Sequence, residues 1–289
     1  MRKTVLLSIW GLLFLTGCEK NSSNTPAATL SRLKQLSFSN ITTSTTLPPG
    51  PAQVNFSYDA AGRVNTVFIH RGDSGMAVPA SDSLCFISFS YTGSGTLPRA
   101  AFQRSRTGTG NMTTRNHTFF YDAGNQLARD SVVTVPGGQV FYYLYRYAAD
   151  YGISETGISP TLPVKIDSFI LINGNLVSLY EQNPPGPPQP VYSYRFENDN
   201  KLNPFNQMNI AGVFSSHGLN PKNPFNIYLE ALLPVFGKNN ATQVKIYADG
   251  SLTRTHTLWY TYNGEGLPVQ RIWSYDNPIT VLDTLTYKY

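Results

Sequence analysis

The chain has 289 residues, 22 of them Lys or Arg and 17 Asp or Glu, for a net charge of +5. Charged residues are 13% of the total, about half the roughly 25% of an ordinary soluble domain, and the surplus is too weak and dispersed to hold nucleic acid. Tyr (18), Phe (16), Gly (23) and Pro (20) are abundant. The aromatics supply apolar area that a disordered chain lacks, and with Thr they favour pleated surfaces, while Gly, Pro and Asn favour turns. An all-β protein is expected: a large antiparallel β-meander with a curved or barrel-like sheet.

In chain order, residues 1–17 read as a secretory signal peptide. Arg2 and Lys3 precede the apolar run "VLLSIWGLLFL" (Val5 to Leu15), which is short for a bilayer span, and small residues lead to Cys18. Loss of this leader lowers the net charge to +3, because Arg2 and Lys3 go with it. Leu15-Thr16-Gly17-Cys18 resembles the lipobox of bacterial lipoproteins. That resemblance implies cleavage before Cys18, acylation of its thiol and new amine, and anchoring in the bacterial outer membrane. Each buried methylene contributes ~0.8 kcal/mol, so several acyl chains on one residue hold a protein on the membrane. Residues 18–31, with "EKNSSNTPAA", form a polar, flexible tether. The tether lacks the dense acidic run associated with surface export in Bacteroides-type bacteria, which favours the periplasmic side. Residues 32–289 are expected to form one sheet domain. Within it Cys85, in "LCFISFSY", has no partner for a disulfide and is expected to be a buried small hydrophobe.

A turn unit recurs along this domain. "YDAAGRV" begins at Tyr58, "YTGSGTL" at Tyr91, "YDAGNQL" at Tyr121 and "FENDNKL" at Phe196. In each an aromatic is followed six residues later by Leu or Val; "YAADYGI" at Tyr147 fits the same frame, and "YNGEGL" (Tyr262) and "YADGSL" (Tyr247) are one residue shorter. Before the turns, Phe56 and Tyr58, Phe89 and Tyr91, Phe119 and Tyr121, and Tyr260 and Tyr262 alternate with mostly polar neighbours. Period two marks half-buried strands with aromatics on one face. The Asp, Asn and Gly residues that follow tolerate positive φ and reverse the chain. Leu97-Pro98, Leu162-Pro163 and Leu267-Pro268 put Pro at strand starts, where the missing N–H costs least. "FILINGNLVSL" (Phe169 to Leu179) reads as a tight hairpin on Asn173-Gly174. About fifteen strands are expected on this basis.

The rhythm stops near residues 203–237. "NPFNIYLEALL" (Asn223 to Leu233) has an Asn cap, Pro at the first helical position and apolar residues at helical spacing, so a short helical insertion is expected there.

Together the lipobox, the "YDxxG" turns, "KLNPF" (Lys201 to Phe205), "KNN" (Lys238 to Asn240) and the closing "YTYNGEGLP" resemble a group of uncharacterised Bacteroides-type outer-membrane lipoproteins. Their β-hairpin repeats are similar to, and looser than, the YD repeats of Rhs-type shell proteins. The resemblance runs from Cys18 to the C-terminus. It implies a curved envelope sheet and brings no activity with it.

Motifs that suggest chemistry have simpler explanations. "RGD" (Arg71 to Asp73) is a short string of common turn residues, expected in a loop after a strand ending at His70. "GDSG" (Gly72 to Gly75) resembles the nucleophile loop of chymotrypsin-like proteases, but only His70 precedes it, too close for the triad geometry. His70, His117, His217 and His256 show no metal-ligand spacing and are expected to be polar rim residues of the sheet. The turn positions of Asp59, Asp122, Glu197 and Asp249 fit capping roles. Asp82-Ser83-Leu84, Asp130-Ser131-Val132 and Asp283-Thr284-Leu285 resemble O-glycosylation triplets of exported Bacteroides-group proteins, which would modify Ser83, Ser131 and Thr284.

The aromatics remain. Alternation places Trp259 opposite the Leu258–Tyr260 face, and "FYYLYRY" (Phe141 to Tyr147) carries aromatics on both faces. Tyr143, Tyr145, Trp259 and Trp273 are the candidates for an aromatic ligand-binding face. A non-catalytic binding or scaffolding module follows, holding a glycan, lipid or protein partner, with no cofactor and no metal. Two further readings are an integral outer-membrane β-barrel and an envelope hydrolase. The barrel reading takes support from the closing strand "VLDTLTYKY", where Leu285, Tyr287 and Tyr289 share a face.

Overall fold

The computed structural model describes residues 31–41, 50–71, 83–106, 112–148, 151–159, 162–182, 191–208, 237–275 and 280–289. Arg32–Tyr289 is one compact unit, and the described residues are strand throughout, save for turns and one 3-10 turn. In chain order the strands are β1 (Gln35–Ile41), β2 (Gly50–Tyr58), β3 (Val64–Arg71), β4 (Ser83–Tyr91), β5 (Pro98–Arg106), β6 (Met112–Tyr121), β7 (Leu127–Val135) and β8 (Val140–Ala148). There follow β9 (Tyr151–Ser159), β10 (Leu162–Ile172), β11 (Asn175–Gln182), β12 (Tyr192–Leu202), β13 (Asn239–Ala248), β14 (Ser251–Tyr262), β15 (Pro268–Tyr275) and β16 (Thr280–Lys288). Each strand pairs antiparallel with the next, and β1 pairs with β16, so the meander closes into a barrel. The closing seam has four register pairs, from Gln35↔Lys288 to Phe38↔Leu285, and Lys34 N–H extends it to the Lys288 carbonyl at 2.8 Å.

Among the described side chains, alternation sorts the strands into an inner and an outer side. Leu36, Phe38, Val54, Val67, Ile69, Phe89, Phe119 and Leu285 are buried in one cluster, and Phe169, Leu179, Tyr194, Phe196, Val244 and Leu258 in a second. Tyr147, Tyr260 and Trp273 pack against both clusters. Burial of a large apolar side chain stabilises by roughly 1.5–3 kcal/mol, so the packed interior is the main source of stability. The outer wall is mixed: Phe102, Phe120, Ile172, Leu252 and Trp259 are exposed among polar networks. On β1–β3, Gln35 donates to Gln53 and Asn55, Asn55 meets His70 at 2.9 Å, and Ser57 meets Thr66 at 2.6 Å.

The recurrent turns have one geometry. Asp59 N–H donates to the Arg63 carbonyl, Asp122 N–H to that of Gln126 and Asn263 N–H to that of Leu267. Each Asx side chain then accepts from backbone inside its own turn: Asp59 from Arg63, Asp122 from Gly124 and Gln126, Asn263 from Glu265 and Leu267. The turn at Thr92 has no Asx, and Arg63 reaches over to donate to the Gly93 and Gly95 carbonyls instead. Asn173 and Gly174 both have positive φ (52° and 80°), the two-residue hairpin that the sequence implies.

Five strand-end tyrosines have a second role. Tyr58 donates its hydroxyl to the Leu33 carbonyl, Tyr91 to Val64, Tyr121 to Pro98, Tyr147 to Leu127 and Tyr289 to Pro268, at 2.6–3.1 Å. Each acceptor lies at the foot of the preceding strand, so in these five strand pairs a hydrogen bond runs along the rim. Arg32, Arg63 and Arg99 lie over the rings of Tyr58, Tyr91 and Tyr121 at 5.6, 4.4 and 5.6 Å.

The expected helical insertion is seen only at its start, where Pro204–Met208 is a 3-10 turn and not an α-helix. Asn203 caps it by accepting from Phe205 N–H. The helix expected over Asn223 to Leu233 lies outside the described residues, as do Gly72 to Gly75. Phe205 and Met208 are buried in the first core cluster, with Phe205 edge-on to Phe56.

Candidate ligand site on the outer wall

The four aromatic candidates do not form one face. Tyr145 is buried, and Tyr143 and Trp273 pack against the first core cluster. Trp273 donates its indole N–H to His256 Nδ1 at 3.0 Å. Trp259 alone points outward, with 45% of its surface exposed. The reason is parity: Tyr143 and Tyr145 share the side of Phe141 and Tyr147, which closure turns into the interior. Leu285 and Tyr287 of the last strand are also buried inside.

The histidines differ from expectation as well, His117 and His256 on the inner side and His70 on the outer. His70, His117 and His256 are buried, not rim residues. His117 Nδ1 meets Asp130 Oδ2 at 2.9 Å and His117 Nε2 meets Gln103 Oε1 at 3.0 Å, while Gln103 donates to Cys85 Sγ at 3.8 Å. The row Cys85–Gln103–His117–Asp130 crosses four strands inside the wall. Gln103 separates thiol from imidazole, and burial pushes the Cys85 thiol up to about 12. A thiol held protonated and away from solvent is a poor nucleophile, and the row ties β4 to β7 through side chains. Asp130 and Asp283 being buried, the carboxylates of two of the glycosylation-like triplets face the core. The side chain of Ser83 lies outside the described residues.

A local irregularity builds a pocket around Trp259. Along β12 and β13, Glu197 pairs with Gln243 but Asn198 pairs with Ala241, so Thr242 is an extra residue. Such a bulge bends the strand and interrupts the ladder. Beyond it a second slip takes Asn198↔Ala241 to Leu202↔Asn239, leaving Asp199 to Lys201 looped out of register. The wall opens there into a pocket of about 360 Å³ lined by Glu197, Asp199, Thr242, Gln243, Thr257, Leu258, Trp259, Tyr260 and Tyr262.

Its deep end is closed by hydrogen bonds. Asp199 Oδ1 accepts from the Lys201 and Asn240 backbone N–H groups, and Oδ2 accepts from the Tyr262 hydroxyl. Burial, with this carboxylate as a further cause, pushes the Tyr262 phenol well above its ordinary range. Asn239 and Asn240 donate to the Lys201 carbonyl, Asn175 and Asn239 bond each other, and Asn203 N–H meets the Lys238 carbonyl. "KLNPF" and "KNN", far apart in sequence, are therefore the two feet of one insertion, clamped beside the pocket. At the mouth, Lys245 Nζ pairs with Glu197 at 2.8 Å. Both carboxylates are engaged, and the open surface is the Trp259 ring with the Gln243 amide and the Thr257 hydroxyl. Among the described residues, no three His, Cys, Asp or Glu side chains gather as metal ligands.

No family model matches the chain, and no curated protein matches it. Solved structures do. A porin-like protein from Bacteroides uniformis is similar over 89% of this chain and 96% of its own, with 13% identity and a TM-score of 0.52. A porin-like protein from Bacteroides vulgatus covers 90% and 99%, with 12% identity and a TM-score of 0.44. The first of these likenesses is one of fold, a β-sheet architecture shared along nearly the whole length of both chains.

Proposed function

We propose that this protein is a lipid-anchored component of the bacterial outer membrane, held through Cys18, whose barrel stands outside the bilayer as a non-catalytic binding module. One observation carries the reading: the tightly buried apolar side chains concentrate inside the barrel, and the outer wall, which also exposes Phe102, Phe120, Ile172 and Leu252, mixes them with charged and polar pairs in place of a continuous apolar band. A spanning barrel presents an apolar band about 25 Å tall to lipid and keeps polar residues inside. Here the inside holds Phe38, Phe119, Phe169 and Leu285 beside His117, Asp130 and Arg271, while the outer wall carries the Glu197–Lys245 ion pair and the Gln35–Gln53 bond. Charges on a lipid-facing wall would cost roughly 2–4 kcal/mol each at mid-bilayer. The lipobox-like Leu15 to Cys18 supplies the membrane attachment that the wall does not. Likeness to a porin-like protein from Bacteroides supports an envelope location, and the missing acidic run after Cys18 favours the periplasmic face.

The test compares the wild type with Cys18→Ala in membrane fractions. The expected result is that Cys18→Ala is released as a soluble protein and that wild type lacks the mass of residues 1–17 and gains that of acyl chains. Persistence of Cys18→Ala in the outer membrane, with heat-modifiable migration on gels, would establish the integral barrel instead.

A further inference from the structure

We infer that the bulge pocket on the outer wall takes a neutral saccharide, one pyranose ring laid on the indole of Trp259 with its hydroxyls meeting the Gln243 amide and the Thr257 hydroxyl. The inference rests on the preceding reading, since it needs this wall to face water. Four observations select the ligand class. The exposed Trp259 offers a flat apolar surface, which matches the C–H face of a sugar ring. Around it stand groups that both donate and accept, a primary amide and hydroxyls, which suits a ring bordered by hydroxyl groups. The charged groups have partners: Glu197 is paired with Lys245, and both Asp199 oxygens are occupied by two N–H groups and a phenol, while the negative charge that Asp199 keeps disfavours an anionic ring. Its volume of about 360 Å³ lies at the small end of the roughly 300–1,000 Å³ usual for ligand pockets, which fits a ring or two and not a folded partner.

The geometry also favours binding over cleavage. Glycoside hydrolysis needs one carboxyl free to give a proton and a second free to attack or to activate water. Asp199 has both oxygens occupied, which leaves Glu197, exposed at the mouth in a surface ion pair, as one carboxylate where two are needed. The bulge that re-aims Thr242 and Gln243 outward therefore serves recognition.

The experiment titrates the mature, lipidated protein in detergent with maltotriose, mannotriose, galactotriose and chitotriose, reading tryptophan fluorescence and calorimetric heat. The expected result is saturable binding of at least one, weakened tenfold or more in Trp259→Ala and in Gln243→Ala. Tyr180→Ala, an exposed aromatic outside the pocket, should bind as wild type does, and Trp259→Tyr should recover part of the affinity. Absence of binding to all four, or binding that survives Trp259→Ala, overturns the inference. Brominated phospholipid in reconstituted vesicles separates the two layers of argument. If it quenches Trp259, identified by subtraction of the Trp259→Phe spectrum, the extramembrane reading has failed. With Trp259 unquenched and no saccharide bound, only the site assignment has failed.

Discussion

The hydroxyl of Tyr91 donates to the carbonyl of Val64 at 2.7 Å, joining the end of β4 to the foot of β3, and Arg63 lies over the same ring while bonding the turn that follows it. Three layers of one rim thus meet on a single tyrosine. Tyr91→Phe removes the bond and keeps the ring, so it should cost about 0.5–1.5 kcal/mol, read as a shift in the urea midpoint with an unchanged slope. Arg63→Ala should cost more, because it also frees two turn carbonyls and the Asp59 carboxylate.

Gly62 sits at φ +78°, and a Cβ there would lie 2.0 Å from the Arg32 guanidinium. Two penalties follow, of different kinds. The left-handed backbone costs an L-residue about 1–2 kcal/mol, whereas Arg32 is flexible and swings away, losing its position over Tyr58. Gly62→Ala should therefore destabilise by about 1–3 kcal/mol. In an Arg32→Ala background the added cost should shrink to the backbone part, which a double-mutant cycle measures.

Alkaline pH should unfold the barrel. Burial pushes Tyr58 and Tyr91 up to about 12, and it raises Tyr121, Tyr147, Tyr260 and Tyr289 as well. The folded state then holds protons that the unfolded state has released, so stability is full below pH about 10, the unfolded tyrosine value. It falls as pH rises from there through the folded values. Melting temperatures from circular dichroism should be flat from pH 7 to about 10 and drop steeply above it, together with a cooperative rise in tyrosinate absorbance. A tyrosinate titration centred near the free value and independent of unfolding would contradict this.

Cys85 should be unreactive in the native protein. It is 5% exposed and its thiol is held protonated by burial. Alkylation by iodoacetamide at pH 8 should be negligible for hours in buffer and complete within minutes in denaturant. Rapid labelling without denaturant would mean that the β4–β5 wall opens.

The Asp130 carboxylate is fully buried and bonded to His117. Asp130→Asn should cost about 1.5–3 kcal/mol, as for hydrogen bonds to charged groups, and Asp130→Ala more. Ser131→Ala, on the neighbouring residue that faces outward, should leave the midpoint unchanged within about 0.5 kcal/mol.

Strands and turns were readable in the sequence because both are local: period two in Phe119 and Tyr121, and a turn Gly within three residues of Asp59 and of Asn263. The parity of Trp259 was readable for the same reason. Closure was not, since it rests on Phe38 meeting Leu285, and without closure nothing says that the Tyr143 face becomes an interior. His117 and Asp130 are partners across two strands, a pairing that only register supplies. The pocket was hidden most deeply, because one supernumerary residue, Thr242, has no compositional mark.

The seam between β1 and β16 also bears on how the chain folds. Every other pairing joins strands consecutive in sequence, whereas Ser39 and Asp283, bonded across the seam, are 244 residues apart. Hairpin-by-hairpin zippering is thus cheap in loop entropy, and the last four pairs carry the largest single non-local cost. Until that clasp forms, the two outermost strands are open edges able to recruit a neighbouring molecule. Refolding yield should depend on concentration during that interval and on little else in the sheet.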